Sequence, residues 1–149
     1  MDTLKRRVDD DTKAALRAGD KRRLGTLRLI LAAIKQREVD GRVSLDDARV
    51  LQVLDKMSKQ RKESLVIYTE AKRADLAGQE AFELQIVQSY LPAPLDAARI
   101  AALVGEAIQE IAAQSLRDVG RVMGVLKPRL QGRADLSEVS RLVKERLAG

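Results

Sequence analysis

The sequence predicts an all-α protein, and three observations carry that prediction. Apolar residues make up 45% of the 149 residues and aromatics only 2%, namely Tyr68, Phe82 and Tyr90. A core of Leu, Ile, Val, Ala and Met suits interdigitating helices better than stacked strands, which draw on aromatic and β-branched side chains. Apolar residues recur at three- and four-residue spacings in one segment after another, and no alternating apolar–polar run exceeds a few residues. The pattern breaks clearly at Leu91-Pro92-Ala93-Pro94-Leu95. Proline cannot donate to a helical ladder, and it pushes its predecessor out of the α region. The expected architecture is two small helical domains, an N-terminal bundle over residues 1–91 and a three-helix domain over 95–149.

Each element has its own signal. Leu4, Val8, Ala15 and Leu16 form a weak stripe on a first helix, which Thr3 is placed to cap and Gly19 to end; Asp20 can cap the next. From Lys21 to Val39 the residues Leu24, Leu27, Ile30, Leu31 and Ile34 share one face, with Arg22, Arg28, Lys35 and Arg37 mostly off it. Asp40-Gly41 reads as a turn. Ser44 with Asp47 resembles a capping box and opens a long helix that buries Leu45, Ala48, Leu51, Val53, Leu54 and Met57. Its basic run from Lys56 to Lys62 reads as polar all round, which predicts a helix projecting into solvent or lying against a charged partner. The apolar pattern resumes at Leu65, Ile67, Tyr68 and Ala71. Asp75 is expected to cap a helix from Leu76 to Tyr90 with Ala77, Ala81, Leu84, Val87, Tyr90 and Leu91 inward. Beyond the prolines, Asp96 caps a helix to about Ala113 that buries Ile100, Leu103, Val104, Ala107, Ile108 and Ile111.

The final stretch carries most of the functional information. Ser115 and Asp118 form a second capping box, and Val119, Val122, Met123, Leu126 and Leu130 fall in a sector of about 100°. Opposite them lie Arg117, Gly120, Arg121, Gly124 and Lys127. Two glycines among three cations leave the backbone accessible and the face positive, so a phosphodiester chain could approach closely. The same glycine spacing suits a close helix crossing, and the two readings stand as alternatives. Pro128 sits near the helix end and Gly132 at its C-cap. Asp135 caps a last helix with Leu136, Val139, Leu142, Val143 and Leu147 inward, and Arg141 and Lys144 outward beside Glu138 and Glu145. Arg133, at the corner between these helices, is a candidate phosphate contact.

Charge and composition narrow the function classes. The net charge is +6. Residues 115–149 carry 8 basic and 4 acidic groups against 19 and 15 over residues 1–91, so the last stretch is the most cationic per residue. Such a domain can bind polyanions. There is no Cys and no His, which removes thiol nucleophiles, Ser-His and Cys-His dyads and Cys/His zinc sites. Asp9-Asp10-Asp11 and Asp46-Asp47 are consecutive and do not face one another on a helix, so they read as helix-end or solvated groups. No catalytic constellation, metal site or cofactor is expected. No aromatic platform serves base stacking in the final stretch. The N-terminus has no apolar h-region, and no apolar run approaches the ~18 residues of a membrane span. The expected setting is a cytoplasmic, soluble protein without membrane contact.

Four segments carry a resemblance: LRLILAAIKQREVD (27–40), KQRKES (59–64), the run from Glu80 to the Tyr-Leu-Pro at 90–92, and DVGRVMGVLKPRLQGRAD (118–135). Together they resemble the YqeY family over nearly the whole chain, the last being the most specific. The resemblance implies two all-helical parts, the second similar to the tail domain of GatB. GatB is a subunit of the glutamine-dependent tRNA amidotransferase, which converts misacylated Glu-tRNA or Asp-tRNA into Gln-tRNA or Asn-tRNA. Its tail engages tRNA by shape and backbone and does no chemistry. The resemblance therefore implies tRNA as partner, with aminoacyl-tRNA or amidotransferase machinery around it. It places Arg117, Gly120, Arg121, Gly124, Lys127, Arg129 and Arg133 on or near the tRNA surface; Arg129 follows Pro128, and an inward turn is its alternative. Carbon–nitrogen ligase activity with glutamine as amido-N-donor would attach through the tail alone, since the kinase-like and amide-transfer regions of GatB have no counterpart here. The expectation is a small tRNA-binding or amidotransferase-associated protein without intrinsic activity. The alternative is a protein–protein adaptor without nucleic acid, suggested by the helix around Lys56–Lys62 and the stiff proline link.

Overall fold

A computed structural model describes residues 3–149. Among them are seven α-helices and one 3₁₀ turn, with no strand, so the fold is all-α. The chain divides into two compact units, one ending at Leu91 and one beginning at Pro92.

The first unit holds α1 (Thr3–Ala18), α2 (Lys21–Gly41), α3 (Asp47–Glu70) and α4 (Ala74–Gln88). Gly19 ends α1 in the left-handed region at φ +70°. Asp20 then caps α2, its Oδ1 accepting from the Arg23 N–H at 3.1 Å. Leu24, Leu27, Ile30 and Ile34 of α2 are buried with Val8, Leu45, Val50, Leu54, Ile86 and Val87 in one core. Each such side chain contributes about 1.5–3 kcal/mol by leaving water.

Several local expectations need correction. Asp46, not Ser44, caps α3: its Oδ1 accepts from the Arg49 N–H at 3.0 Å. Asp47 turns to α1 instead, accepting from the Leu4 N–H at 3.0 Å and the Thr3 hydroxyl at 2.6 Å. Thr3 lies within α1 and does not cap it; α1 has no acid in its first turn, and a neighbouring helix supplies one. The Thr3 hydroxyl and the Leu4 N–H hold the Asp47 carboxyl below its usual pKa. Its stabilising contribution is present above the ordinary carboxylate range and is lost as pH falls through the depressed value. Arg73, not Asp75, sits at the N-cap of α4, and its guanidinium forks onto Asp75 at 3.1 and 3.2 Å.

The Lys56–Lys62 run is not solvated all round: one side of it is buried, and Lys56, Gln60 and Lys62 remain exposed. Met57 and Ser58 are buried, and α3 and α4 pack along one another. Arg61 reaches to 4.0 Å from Glu83, a residue only 8% exposed. A long Arg stem can line an apolar seam while its head keeps a polar neighbour. Desolvation raises the Glu83 pKa, and Arg61 partly offsets this. The buried face of α4 is accordingly Glu83, Ile86 and Val87, continued by Tyr90, while the expected Ala81 is exposed. The Tyr90 hydroxyl donates to Asp11 at 2.5 Å, and the Arg7 guanidinium lies 4.8 Å from its ring centre. Beyond this seam the side chains of Val66 and Ile67 are 56% and 61% exposed, so the resumed apolar pattern of α3 is not core.

The second unit holds α5 (Ala97–Glu110), the 3₁₀ turn Leu116–Asp118, α6 (Val119–Leu130) and α7 (Leu136–Ala148). Asp96 caps α5 through the Arg99 N–H at 2.7 Å, and Asp135 caps α7 through the Ser137 N–H at 2.9 Å. Leu103, Val104, Ala107, Val122, Met123, Leu126, Leu130, Val139 and Val143 form a separate core. The Leu95 N–H donates to the Arg133 carbonyl at 3.0 Å, which ties the segment ahead of α5 to the α6–α7 corner. Among the described residues no helix is long and apolar enough to cross a membrane.

Candidate nucleic-acid interface

The site is built on α6. Val122, Met123, Leu126 and Leu130 are buried, which turns Gly120, Arg121, Gly124 and Lys127 to the outside, with Arg117 just ahead in the 3₁₀ turn. A Cβ added at Gly120 or Gly124 would meet nothing within 4 Å. Neither glycine therefore serves a close helix crossing within this unit, and the packing alternative falls. A glycine inside a helix costs about 0.5–1 kcal/mol relative to alanine. Here no packing contact offsets that cost.

The cations along this surface are not equally available. Arg117 and Lys127 are exposed and pair with no carboxylate among the described residues. Arg121 donates to Asp118 at 3.3 Å and to the Ile111 carbonyl at 3.4 Å. The other Asp118 oxygen accepts from the backbone N–H groups of Gln114 at 2.9 Å and Ser115 at 3.3 Å. Those two bonds, with Arg121 beside them, hold the Asp118 carboxyl below its usual range. One carboxylate thus caps the turn and anchors a ridge cation.

Arg129 stays exposed, but its guanidinium is 2.9 Å from Glu110 on α5, and the pair lowers the Glu110 pKa and raises that of Arg129. Arg141 is held by Glu138 at 2.8 Å and by Glu145. Lys144 is exposed on α7. Arg133 is half-buried, and its Nε has no hydrogen-bond partner in the protein. The structure therefore gathers Arg117, Gly120, Arg121, Gly124 and Lys127 on one ridge, and commits Arg129 and Arg141 to carboxylates. The carboxylates are what residue-by-residue reading overlooked. Asp118 lies three residues before Arg121, and Glu138 and Glu145 flank Arg141 at helical neighbour spacings, so those locks were visible in the spacing. The Glu110–Arg129 pair joins two helices, and no local spacing reveals it. Among the described residues no cluster of acidic side chains is arranged to hold a metal ion.

Fold and ridge together define the class: a basic all-α protein of two helical units whose second unit displays a glycine-opened cationic helix. The chain belongs to the YqeY family, whose description, Yqey-like protein, matches residues 5–147. Among curated proteins it is similar to Altered inheritance of mitochondria protein 41, mitochondrial, of Pyrenophora tritici-repentis, 30% identical over 143 residues, or 93% of this chain and 78% of that one. The proteins of the same name from Vanderwaltozyma polyspora and Kluyveromyces lactis are each 37% identical, over 82 and 84 residues. Those matches take 54% and 56% of this chain and 44% and 45% of theirs, so the chain spans about half the length of these relatives.

The relatives' names correct one expectation. They are mitochondrial proteins, and this overturns the cytoplasmic reading. That reading rested on the lack of Cys, of an apolar h-region and of a spanning segment. Those observations bear on thiol chemistry, secretion and membrane insertion, and none of them selects a compartment.

Proposed function

We propose that the α6 ridge grips tRNA by its phosphate backbone and does no chemistry on it. The observation that carries the reading is the pair of open glycines, Gly120 and Gly124, beside cations on a face whose opposite side is buried. A phosphate can come within reach of the helix there, with Arg117, Arg121 and Lys127 supplying charge. The ion pair holding Arg121 is exposed and therefore weak enough for a phosphate to displace. The second unit has no aromatic residue, which favours recognition by shape and backbone over base stacking. The likeness of residues 118–135 to the GatB tail points to tRNA among folded RNAs, and to association with amidotransferase machinery. Carbon–nitrogen ligase activity with glutamine as amido-N-donor would then belong to the associated enzyme.

The test is equilibrium binding of unfractionated tRNA over a range of salt. The triple variant Arg117→Ala/Arg121→Ala/Lys127→Ala is expected to bind at least about tenfold more weakly and to lose about two to three units of salt slope. Equal affinity of the variant and the native protein across the salt range would reject the reading. A protein-adaptor reading now draws on Val66 and Ile67, exposed near the end of α3, and not on the Lys56–Lys62 run. Co-purification of a stable protein partner that is lost on Val66→Ser/Ile67→Ser, with no copurified RNA, would favour it.

A further inference from the structure

A second cationic helix face lies on α2, in the first unit. From Lys21 to Arg37 the sequence holds six basic residues and no carboxylate. Leu24, Leu27, Ile30 and Ile34 bury one side of this helix. At about 100° per residue, Lys21, Gly25, Arg28, Ala32 and Lys35 then fall within about 80° on the outer side. All five are exposed. A Cβ added at Gly25 would meet nothing within 4 Å, so backbone is open here as it is on α6.

The neighbouring acids are engaged elsewhere or lie off this face. Asp20 caps the helix, Glu38 pairs with Lys5 at 2.6 Å, and Asp40 accepts from Gln36 at 2.9 Å. On the α1 side, Asp9 and Asp10 line the groove beside Leu31, and Asp9 pairs with Lys13 at 3.1 Å. On the α4 side, Arg22 stacks 4.0 Å over Phe82. Lys21, Arg28 and Lys35 pair with no carboxylate among the described residues.

We infer that this face of α2 is a second phosphate-backbone site for nucleic acid. The inference rests on the α6 reading only in taking nucleic acid as the ligand. Successive cations stand about 10 Å apart along about 21 Å of helix. A duplex carries one charge per ~1.7 Å of axis, so each cation finds a phosphate without a special register. An anionic membrane is the poorer fit. An interfacial helix must offer its apolar face to lipid, and that face of α2 is buried in the core. Only Leu29 and Val39, 46% and 59% exposed, break the outer surface.

The test uses the full chain and unfractionated tRNA. Lys21→Ala/Arg28→Ala/Lys35→Ala is expected to weaken binding about tenfold at low salt and to reduce the salt slope by about two to three units. Lys21→Arg/Lys35→Arg is expected to bind as the native protein does. Arg28→Glu, a single exposed change, gives the same direction should the triple variant fold poorly. If the α6 triple variant weakens binding and the α2 variants leave affinity and slope unchanged, the inference is overturned and the α6 reading stands. If the α2 variants weaken binding and the α6 variant does not, the α6 reading falls and this one stands. Loss of binding to phosphatidylserine-rich vesicles with tRNA affinity intact would assign the face to lipid and overturn the inference.

Discussion

Helices α2 and α6 solve the same geometric problem with different accounts of charge. Each buries one side in its own unit's core and opens the other with glycine, at Gly25 and at Gly120 and Gly124. On α6 both arginines are partly neutralised at home: Arg121 by Asp118 and Arg129 by Glu110. On α2 no acid occurs from Lys21 to Arg37, and the outer cations stand unpaired. Averaged over long segments, net charge favours the final stretch over residues 1–91 taken whole; following each cation to its partner favours α2. The charge a face can offer is what remains after its carboxylates have taken their share.

The largest test of this comparison lies beneath the faces. Leu126→Ala removes a fully buried side chain from the second core and is expected to cost about 2–5 kcal/mol. Amide exchange should quicken along α5 and α6 far more than along α2, whose side chains lie in the other core. Equal acceleration in both helices would show that the two cores are energetically one. Next come the glycines. Gly25→Ala, Gly120→Ala and Gly124→Ala should each raise stability in urea by about 0.5–1 kcal/mol, because the added methyl meets open space. Where a phosphate approaches the helix, the same change should weaken tRNA binding. Stability and affinity would then move in opposite directions, which a packing role does not produce. The smallest effect concerns the locks. Glu110→Gln frees Arg129 and should strengthen tRNA binding at low salt on the order of twofold, making α6 more like α2. Unchanged or weaker binding would mean that Arg129 faces no phosphate.

The all-α class, the apolar faces of α2, α5, α6 and α7, and the Asp20, Asp96 and Asp135 caps were legible because helical period and capping chemistry are local. What escaped was tertiary. Asp47 caps a helix 43 residues upstream, which no window around Ser44 contains. Glu83 lies on the buried side of α4, so an apolar ladder that placed Val87 and Tyr90 correctly passed over it and took the exposed Ala81 instead. Ser58 and Arg61 hid the seam that α3 shares with α4 for the same reason, a core-facing position filled by a polar side chain. At the site, the ridge from Arg117 to Lys127 followed from spacing alone, whereas the loss of Arg129 to Glu110 required α5. The openness of Gly120 and Gly124 was also undecidable from sequence, since four-residue glycine spacing fits both a crossing and a bare ridge. The α2 face is legible in sequence, since its cations lie off the apolar stripe and no acid stands among them from Lys21 to Arg37.

Tyr90 gives this molecule an unusual optical character. A phenol that donates to a carboxylate loses its excitation to proton transfer, so the short bond to Asp11 makes the buried tyrosine a poor emitter in the folded chain. Tyr68 is left as the main source of native emission, since the sequence has no tryptophan. Unfolding, which separates Tyr90 from Asp11, is expected to brighten the protein, the reverse of the dimming usual where a buried tryptophan meets water. The second unit, with no aromatic ring, is dark throughout: it adds nothing to tyrosine fluorescence, and a near-ultraviolet signal that appeared there on adding tRNA would come from the RNA.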